Sequence, residues 1–385
     1  MADIPNNETW VGNPAKRIKP KNIQKEFSFK EVEILCTNDA EKWKDYLNRI
    51  PNAHKDIYLT PEYHKIQENH GLGKAFCFVF KKGNELVMYP HLKNEVNKDL
   101  FNLSATCFDI ESVYGYGGFI SNTTNPKTIE EFALKFNKYC IDNLIIAEFV
   151  RFNPLIKNEG IFGDHIQVIF DRKTVSIDLT KSYIYLWEKE YSSSNRNTIR
   201  KAILKGINLE IINNPNSEEI TKFYEIYIEG MGKLKADDFY SFSKKYIQDI
   251  FNNFSKSAYL FNVKNKKNEI MCSSIFLHFN EKFHYHLSAR SPFADNTSNN
   301  FLIDRAVLFA QELGASIFHL GGGRTSSLDD SLFKFKKCFS KTENDYYIGK
   351  KIHNQSVYEM ILNQWNEKSP EKMGKYKNVL LKYRY

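Results

Sequence analysis

The stretch IFHLGGGRTSSLDDSLFKFKKCFS, residues 317–340, decides how the rest of the chain is read. Apolar residues up to Leu320 predict a short buried strand. Gly321, Gly322 and Gly323 follow, a backbone with no Cβ atoms that a ligand or another segment can approach closely. Ser327 and Asp330 have the spacing of a capping box, and Asp329 adds to an acidic first helical turn. Lys334, Lys336 and Lys337 crowd the last turn, where cations suit the macrodipole. Helix optimisation covers the acidic start and two of the lysines. It leaves three glycines after a strand ending in His319-Leu320 unexplained, so the stretch is assigned a functional role.

Around it lies a chain of 385 residues, long enough for about two domains. With 42% hydrophobic and 26% charged residues it is globular rather than disordered. The net charge of +8 favours anionic ligands such as phosphates, nucleotides or RNA, and equally suits a solvated basic surface. None of the six cysteines forms a C-x-x-C pair, which argues for reduced core thiols and a cytoplasmic protein, not a zinc site or disulfide frame. The start lacks a signal-peptide pattern, and no apolar run could span a bilayer; membrane contact would be peripheral.

From Val32 the pattern is α/β. A strand over Val32–Cys36 leads to a helix capped by Asp39, with Trp43, Tyr46, Leu47 and Ile50 on one face. Thr60-Pro61 opens a second helix carrying Tyr63, Lys65 and Ile66. Strands over Phe76–Phe80 and Glu85–Tyr89 flank a hairpin turn, and a helix over Ile129–Asn143 precedes a strand over Leu144–Arg151. The second half repeats the plan: strands over Ala258–Val263, Ile270–Phe279 and Phe283–Ser288, a helix over Asn300–Leu313, then the strand before the glycines. KKGNELVMYP answers KKNEIMCSSI, which suggests a duplicated domain. Between the copies, a helix after Ser192 puts Arg196 and Arg200 at i and i+4 on one face, suited to phosphate or to solvent. A further helix bears Ile220, Phe223, Tyr224 and Tyr227 and is expected to end at Gly230-Met231-Gly232.

Read together, these residues resemble the Fem-type peptidoglycan-bridge aminoacyltransferases. The likeness runs from about Leu59 to Lys350 and is strongest in Leu320-Gly321-Gly322, Asp329-Asp330-Ser331-Leu332, Phe335-Lys336 and Tyr347-Ile348-Gly349. Weaker echoes are Tyr63-His64-Lys65 and Arg151-Phe152-Asn153-Pro154. The resemblance implies an α/β fold of two tandem GNAT-like domains, each a mixed twisted sheet flanked by helices. The expected division is a tail over 1–26, domains over 27–175 and 176–350, and a segment over 351–385 packing back on the first domain. The tail itself (IPNNETWVGNPAKRIKP) resembles the closing segment of a hexapeptide-repeat acyltransferase, or is simply a basic tail.

The resemblance also implies roles. Lys336 would stabilise the negative charge of an acyl-transfer transition state, and Phe335 would shape its pocket. Gly321, Gly322 and Gly323 are expected to line the donor–acceptor channel with Phe335; Arg324, an extra cation by which this chain departs from the family, and His286 are expected to be further substrate contacts. Lys65 and Lys235 would match cationic positions that hold acceptor phosphates, and Arg200, from the basic helix itself, is expected to be a further phosphate contact. Asn153 stands where family members often carry a carboxylate; an amide can position an amine but cannot deprotonate it, so no general base is identified. No metal or bound cofactor is expected: His284 and His286, at i and i+2, lack ligand partners and read as core or pocket residues. The donor would be aminoacyl-tRNA or acyl-CoA, with tRNA a partner in the first case. The acceptor would be a nucleotide- or lipid-linked sugar or muropeptide. Other readings are a CoA- or carrier-dependent N-acyltransferase for surface-polysaccharide amino sugars, and a non-catalytic module binding tRNA or a nucleotide sugar. The chain has no pyrophosphate loop of the R/Q-x-x-G-x-G/A type, which counts against an ordinary acetyl-CoA enzyme.

Overall fold

The structure is a computed structural model that describes residues 9–11, 16–18, 31–234 and 242–385. β1 (Thr9–Val11) and β2 (Lys16–Ile18) form a small antiparallel hairpin. The middle of the V-G-N-P-A-K run, residues 12–15, lies outside the described residues.

In the first half the elements are β3 (Val32–Cys36), α1 (Ala40–Asn48), α2 (Pro61–Asn69), β4 (Lys74–Lys82), β5 (Glu85–Glu95), β6 (Phe108–Glu111), β7 (Ile120–Ser121), α3 (Pro126–Asp142), β8 (Ile145–Arg151) and β9 (Gln167–Asp178). α2 starts as the sequence predicts: Thr60 Oγ1 accepts from the Tyr63 amide at 3.3 Å and Pro61 takes the first turn. At α1 the expected cap differs. The Asp39 carboxylate turns back to accept from the Cys36 amide at 3.0 Å. α3 lays Phe132 and Phe136 on Phe78 of β4, with ring centroids 5.4 and 5.1 Å apart. Each such buried ring contributes about 1.5–3 kcal/mol.

The second half holds α4 (Tyr183–Tyr185), α5 (Ser193–Leu204), β10 (Asn208–Asn213), α6 (Ser217–Leu234), α7 (Lys244–Asn253), β11 (Ala258–Lys264), β12 (Ile270–Phe279), β13 (Lys282–Arg290), α8 (Ser298–Glu312), β14 (Ile317–Gly322), α9 (Ser331–Lys337), β15 (Glu343–Ile352) and α10 (Gln355–Lys368). α6 does not stop at its glycines. Its buried stripe of Ile220, Phe223 and Tyr227 outweighs the roughly 1 kcal/mol cost of each mid-helix glycine. Gly230 lies against β13, where a Cβ would sit 3.8 Å from that of Ala289.

One mixed sheet runs β10-β11-β12-β13-β14-β9-β15-β8-β6-β5-β4-β3, with β7 beside β5. The two halves follow the same plan. β6 and β8 are parallel, with α3 between them in the chain; β13 and β14 are parallel, with α8 between them. At the centre the halves exchange strands. β9 leaves the first half to pair with β14, through Thr174–Asp178. β15 leaves the second half to pair with β8, through Ile348–Ile352. β9 and β15 also pair with each other. The boundary expected between residues 175 and 176 falls inside β9. Tyr358, Ile361 and Trp365 of α10, with Leu381 and Tyr383, pack on Phe101, Ile146 and Ala147. No helix among the described residues is long and apolar enough to cross a membrane.

Candidate active site

A cleft of about 690 Å³ opens where the exchanged strands meet. One wall comes from the 111–116 segment, Arg151 and Tyr58 of the first half, another from β13, β14 and the glycine turn. Residues 378–381 and 384–385 line a third side. Six cations (Arg151, Arg172, Arg324, Lys336, Lys350 and Arg384) line it against two carboxylates, Glu111 and Asp171. Several of these charges are already engaged: Arg151 donates to Glu111 at 3.1 Å, and Arg384 pairs with Asp109 and Glu111.

The glycine turn has a geometric reason at two positions. The pairing of β14 with β9 shifts register between His319 and Gly321, a bulge that bends the strand end. Gly321 there takes φ +76°, and a Cβ on it would lie 3.3 Å from Lys336 Nζ. At Gly323 a Cβ would meet the Asp330 carboxylate at 2.5 Å. That carboxylate ties the turn to α9. Asp330 Oδ1 accepts from the Leu332 and Phe333 amides at 2.9 and 3.0 Å, and Oδ2 from the Arg324 and Thr325 amides, both at 3.1 Å. Asp330, not Ser327, is therefore the N-cap, because it alone serves both the helix and the loop.

α9 aims Lys336 inward. The residue is 7% exposed and Nζ donates to the Gly322 carbonyl at 2.7 Å. Burial drops its ammonium from 10.5 to about 7; the Asp330 charge opposes the drop and Arg172 adds to it. Phe335 points the other way, packing edge-on to Phe339 in the second-half core with centroids 5.4 Å apart, and it does not line the cleft.

Behind the cleft lies a buried polar cluster that periodicity did not reveal. Asp56, just before the turn Ile57–Leu59, is wholly buried. Its Oδ1 is 3.2 Å from His284 Nε2, and its Oδ2 accepts from Asn153 Nδ2 at 2.9 Å. Burial alone would raise this carboxyl; His284, Lys282 and the Asn153 hydrogen bond outweigh it and hold the group below its ordinary value. Asn153 is thus bound to Asp56, not to the cleft, and its Oδ1 accepts from the Leu155 amide at 2.9 Å. A carboxylate at 153 would face the Asp56 carboxylate at hydrogen-bond distance, which is a physical reason for the amide here.

Three histidines form the cleft floor. His286 Nδ1 is 3.2 Å from the Tyr58 hydroxyl, and burial pushes His286 down to about 3. His319 is held well below its ordinary value by burial, with His284 and Lys336 adding to the effect. The His284 and His319 rings stand perpendicular with centroids 5.8 Å apart. Among the described residues no group of three or more His, Cys, Asp or Glu is placed to hold a metal.

The structure thus brings Lys336, Gly321, Gly322, Gly323, Arg324 and His286 together. Lys65 and Arg200 lie elsewhere. Lys65, on α2, pairs with Glu68 at 3.1 Å; Arg200, exposed on α5, stacks over the Trp187 ring at 5.4 Å. Its helical neighbour Arg196 is held by the carbonyls of Trp187 and Tyr191. Lys235 lies outside the described residues. Sequence reasoning passed over Asp56, Tyr58, Tyr116 and Arg172. Gly115 bears on one of them: it takes φ +101°, and a Cβ on it would enter the Tyr58 ring.

No family model matches the chain, and no curated protein matches it. Solved structures do. FemX is similar with a TM-score of 0.66 at 15% identity, over 86% of this chain and 99% of FemX. L-PGS from Bacillus licheniformis gives 0.54 at 14% identity, over 85% of this chain and 96% of its own. The C-terminal domain of a putative lysylphosphatidylglycerol synthetase from Agrobacterium fabrum gives 0.52 at 13%, over 86% and 96%. The fold of the chain is accordingly the Fem-type tandem GNAT-like fold seen in FemX.

Proposed function

We propose that the chain is an acyltransferase that forms an amide on an anionic precursor of the cell envelope, taking an aminoacyl group from aminoacyl-tRNA. The observation that carries this reading is Lys336: a lysine whose ammonium has, among the described residues, one hydrogen-bonding carbonyl, buried at the base of a cation-lined cleft. In such a site a fixed ammonium stabilises a developing oxyanion far more than it would in water. An oxyanion beside it also favours its protonated form, so the charge is strongest when the tetrahedral intermediate is present. The remaining cleft cations suit the phosphates of a nucleotide- or lipid-linked acceptor, and the tyrosines Tyr58, Tyr114, Tyr116 and Tyr346 provide flat walls for a sugar or base. Similarity to FemX and to lysylphosphatidylglycerol synthetase-type structures supports aminoacyl over simple acyl transfer.

The test offers the protein radiolabelled aminoacyl-tRNA and, separately, labelled acyl-CoA, each with a pool of envelope nucleotide- and lipid-linked precursors. Label passing from tRNA to a precursor is the expected result. Label passing only from CoA would refute the donor and leave an N-acyltransferase. No transfer from either, with salt-dependent RNA binding, would refute catalysis.

A further inference from the structure

Amide formation requires a group that removes a proton from the acceptor nitrogen, and Lys336, committed to the oxyanion, cannot also be that group. The cleft holds a pair suited to it. His284 lines the cleft, its side chain is 2% exposed, and its Nε2 lies 3.2 Å from Asp56 Oδ1. Both ring nitrogens are buried without a hydrogen bond among the described residues: Nε2 meets Asp56 at ion-pair distance outside hydrogen-bond geometry, and Nδ1 has no polar group paired with it. Asp56 is locked from the other side by Asn153, and the Lys282 ammonium, anchored on the Ala53 and Lys55 carbonyls at 3.0 and 2.9 Å, keeps the carboxylate charged. A carboxylate fixed on one imidazole nitrogen sets the tautomer and leaves the other nitrogen with its lone pair. A buried nitrogen with no partner is costly to keep unless something else fills its need.

We propose that Asp56 and His284 form the general-base dyad of this site, with His284 Nδ1 taking the proton of the acceptor amine. The proposal rests on the acyl-transfer reading. The amine lone pair forms the C–N bond to the donor carbonyl carbon, and the carbonyl π pair moves onto oxygen beside Lys336. His284 Nδ1 takes the N–H proton, and its imidazolium is held by Asp56. The oxygen pair then re-forms C=O, the bond from carbon to the donor's leaving oxygen breaks, and that oxygen receives the proton from His284. No further reactant is consumed.

The groups facing His284 are Asp56 and Tyr58 from the first half, Lys282 and His286 on its own strand, His278 on β12 and His319 on β14. The test measures kcat at saturating acceptor between pH 5 and 9 for the full chain, its His284→Gln variant and its Asp56→Asn variant, with thermal unfolding as the check on folding. For His284→Gln, kcat falls about 10²–10⁴-fold, KM for the donor stays nearly constant, and the acid limb of the wild-type profile disappears. For Asp56→Asn the limb remains but moves to lower pH, because the imidazolium loses its carboxylate; this variant decides the matter where His284→Gln does not fold. A His284→Gln enzyme with wild-type kcat, or one with reduced kcat and an unchanged acid limb, overturns the dyad while the transferase reading stands. A wild-type protein inert with every donor overturns both.

Discussion

Replacing Lys336 with Met keeps an unbranched side chain one heavy atom shorter, removes its charge and separates stability from function. Burial lowers the lysine from 10.5 to about 7. That gap of about 3.5 corresponds to about 5 kcal/mol spent on keeping the buried ammonium protonated. The sign follows from linkage. Between pH 7 and 10.5 the unfolded chain holds a proton that the folded chain has released, so wild-type stability rises with pH across that window. The penalty is full below pH 7 and vanishes above 10.5. Lys336→Met has no such group. At pH 6 it should be more stable than wild type by about 2–4 kcal/mol, after about 1–3 kcal/mol is subtracted for the Gly322 carbonyl left without its donor. The advantage should shrink by about 2–3 kcal/mol from pH 7 to 9. Urea unfolding of both proteins at pH 6, 7, 8 and 9 measures this, and the change of the difference with pH is independent of the lost hydrogen bond. Transfer by the variant should fall at least ~10²-fold, as when an oxyanion donor is removed. A stability difference that is flat from pH 6 to 9 would refute the claim that this ammonium is desolvated.

The other predictions are local. Gly321→Ala forces a Cβ into a left-handed conformation beside Lys336 Nζ; it should cost about 1–2 kcal/mol and lower kcat more than donor KM, read by thermal unfolding and steady-state kinetics. Asp330→Ala strips the cap from α9 and the anchor from the glycine turn, so it should cost about 1–2 kcal/mol and reduce kcat because Lys336 is no longer aimed; unchanged kinetics would contradict the coupling of cap and lysine. Lys65→Ala and Arg200→Ala, both outside the cleft, should each leave kcat/KM within about threefold of wild type, the scale of a surface substitution of under 1 kcal/mol.

The repeated hairpin–helix–strand plan was legible because β4, β5, β11 and β12 are apolar runs flanking polar turns, a short-range signal. The helix cores were legible from Trp43, Phe223 and their neighbours at helical spacing. β9 and β15 were not, since Phe170, Arg172, Lys173 and Tyr346 mix charge and aromatics without alternation; only pairing with distant partners makes these segments strands. The same limit governs the site. Lys336 and its glycines sit within one stretch and could be seen together. Asp56 and His284 are 228 residues apart and meet only because α2's approach turn packs under β13. Lys65 and Arg200 show another side of it: helical spacing places a cation on the wet face of its helix, and does not tell that this face lies outside the cleft.

The strand exchange at the centre has a consequence for how the protein is made. β8 waits for its neighbour until β15 has been synthesised, and Ile348 comes 197 residues after its partner Arg151. At translation rates of about 5–20 residues per second, the first half spends roughly 10–40 s on the ribosome with β8 as an open edge. Such an edge is a template for pairing with other nascent chains. Neither half can be expressed as a finished unit, since each carries the other's closing strand. The cleft lies where β9 and β15 cross between the halves, so Lys336 and the Asp56 side are brought together only when both halves are in place.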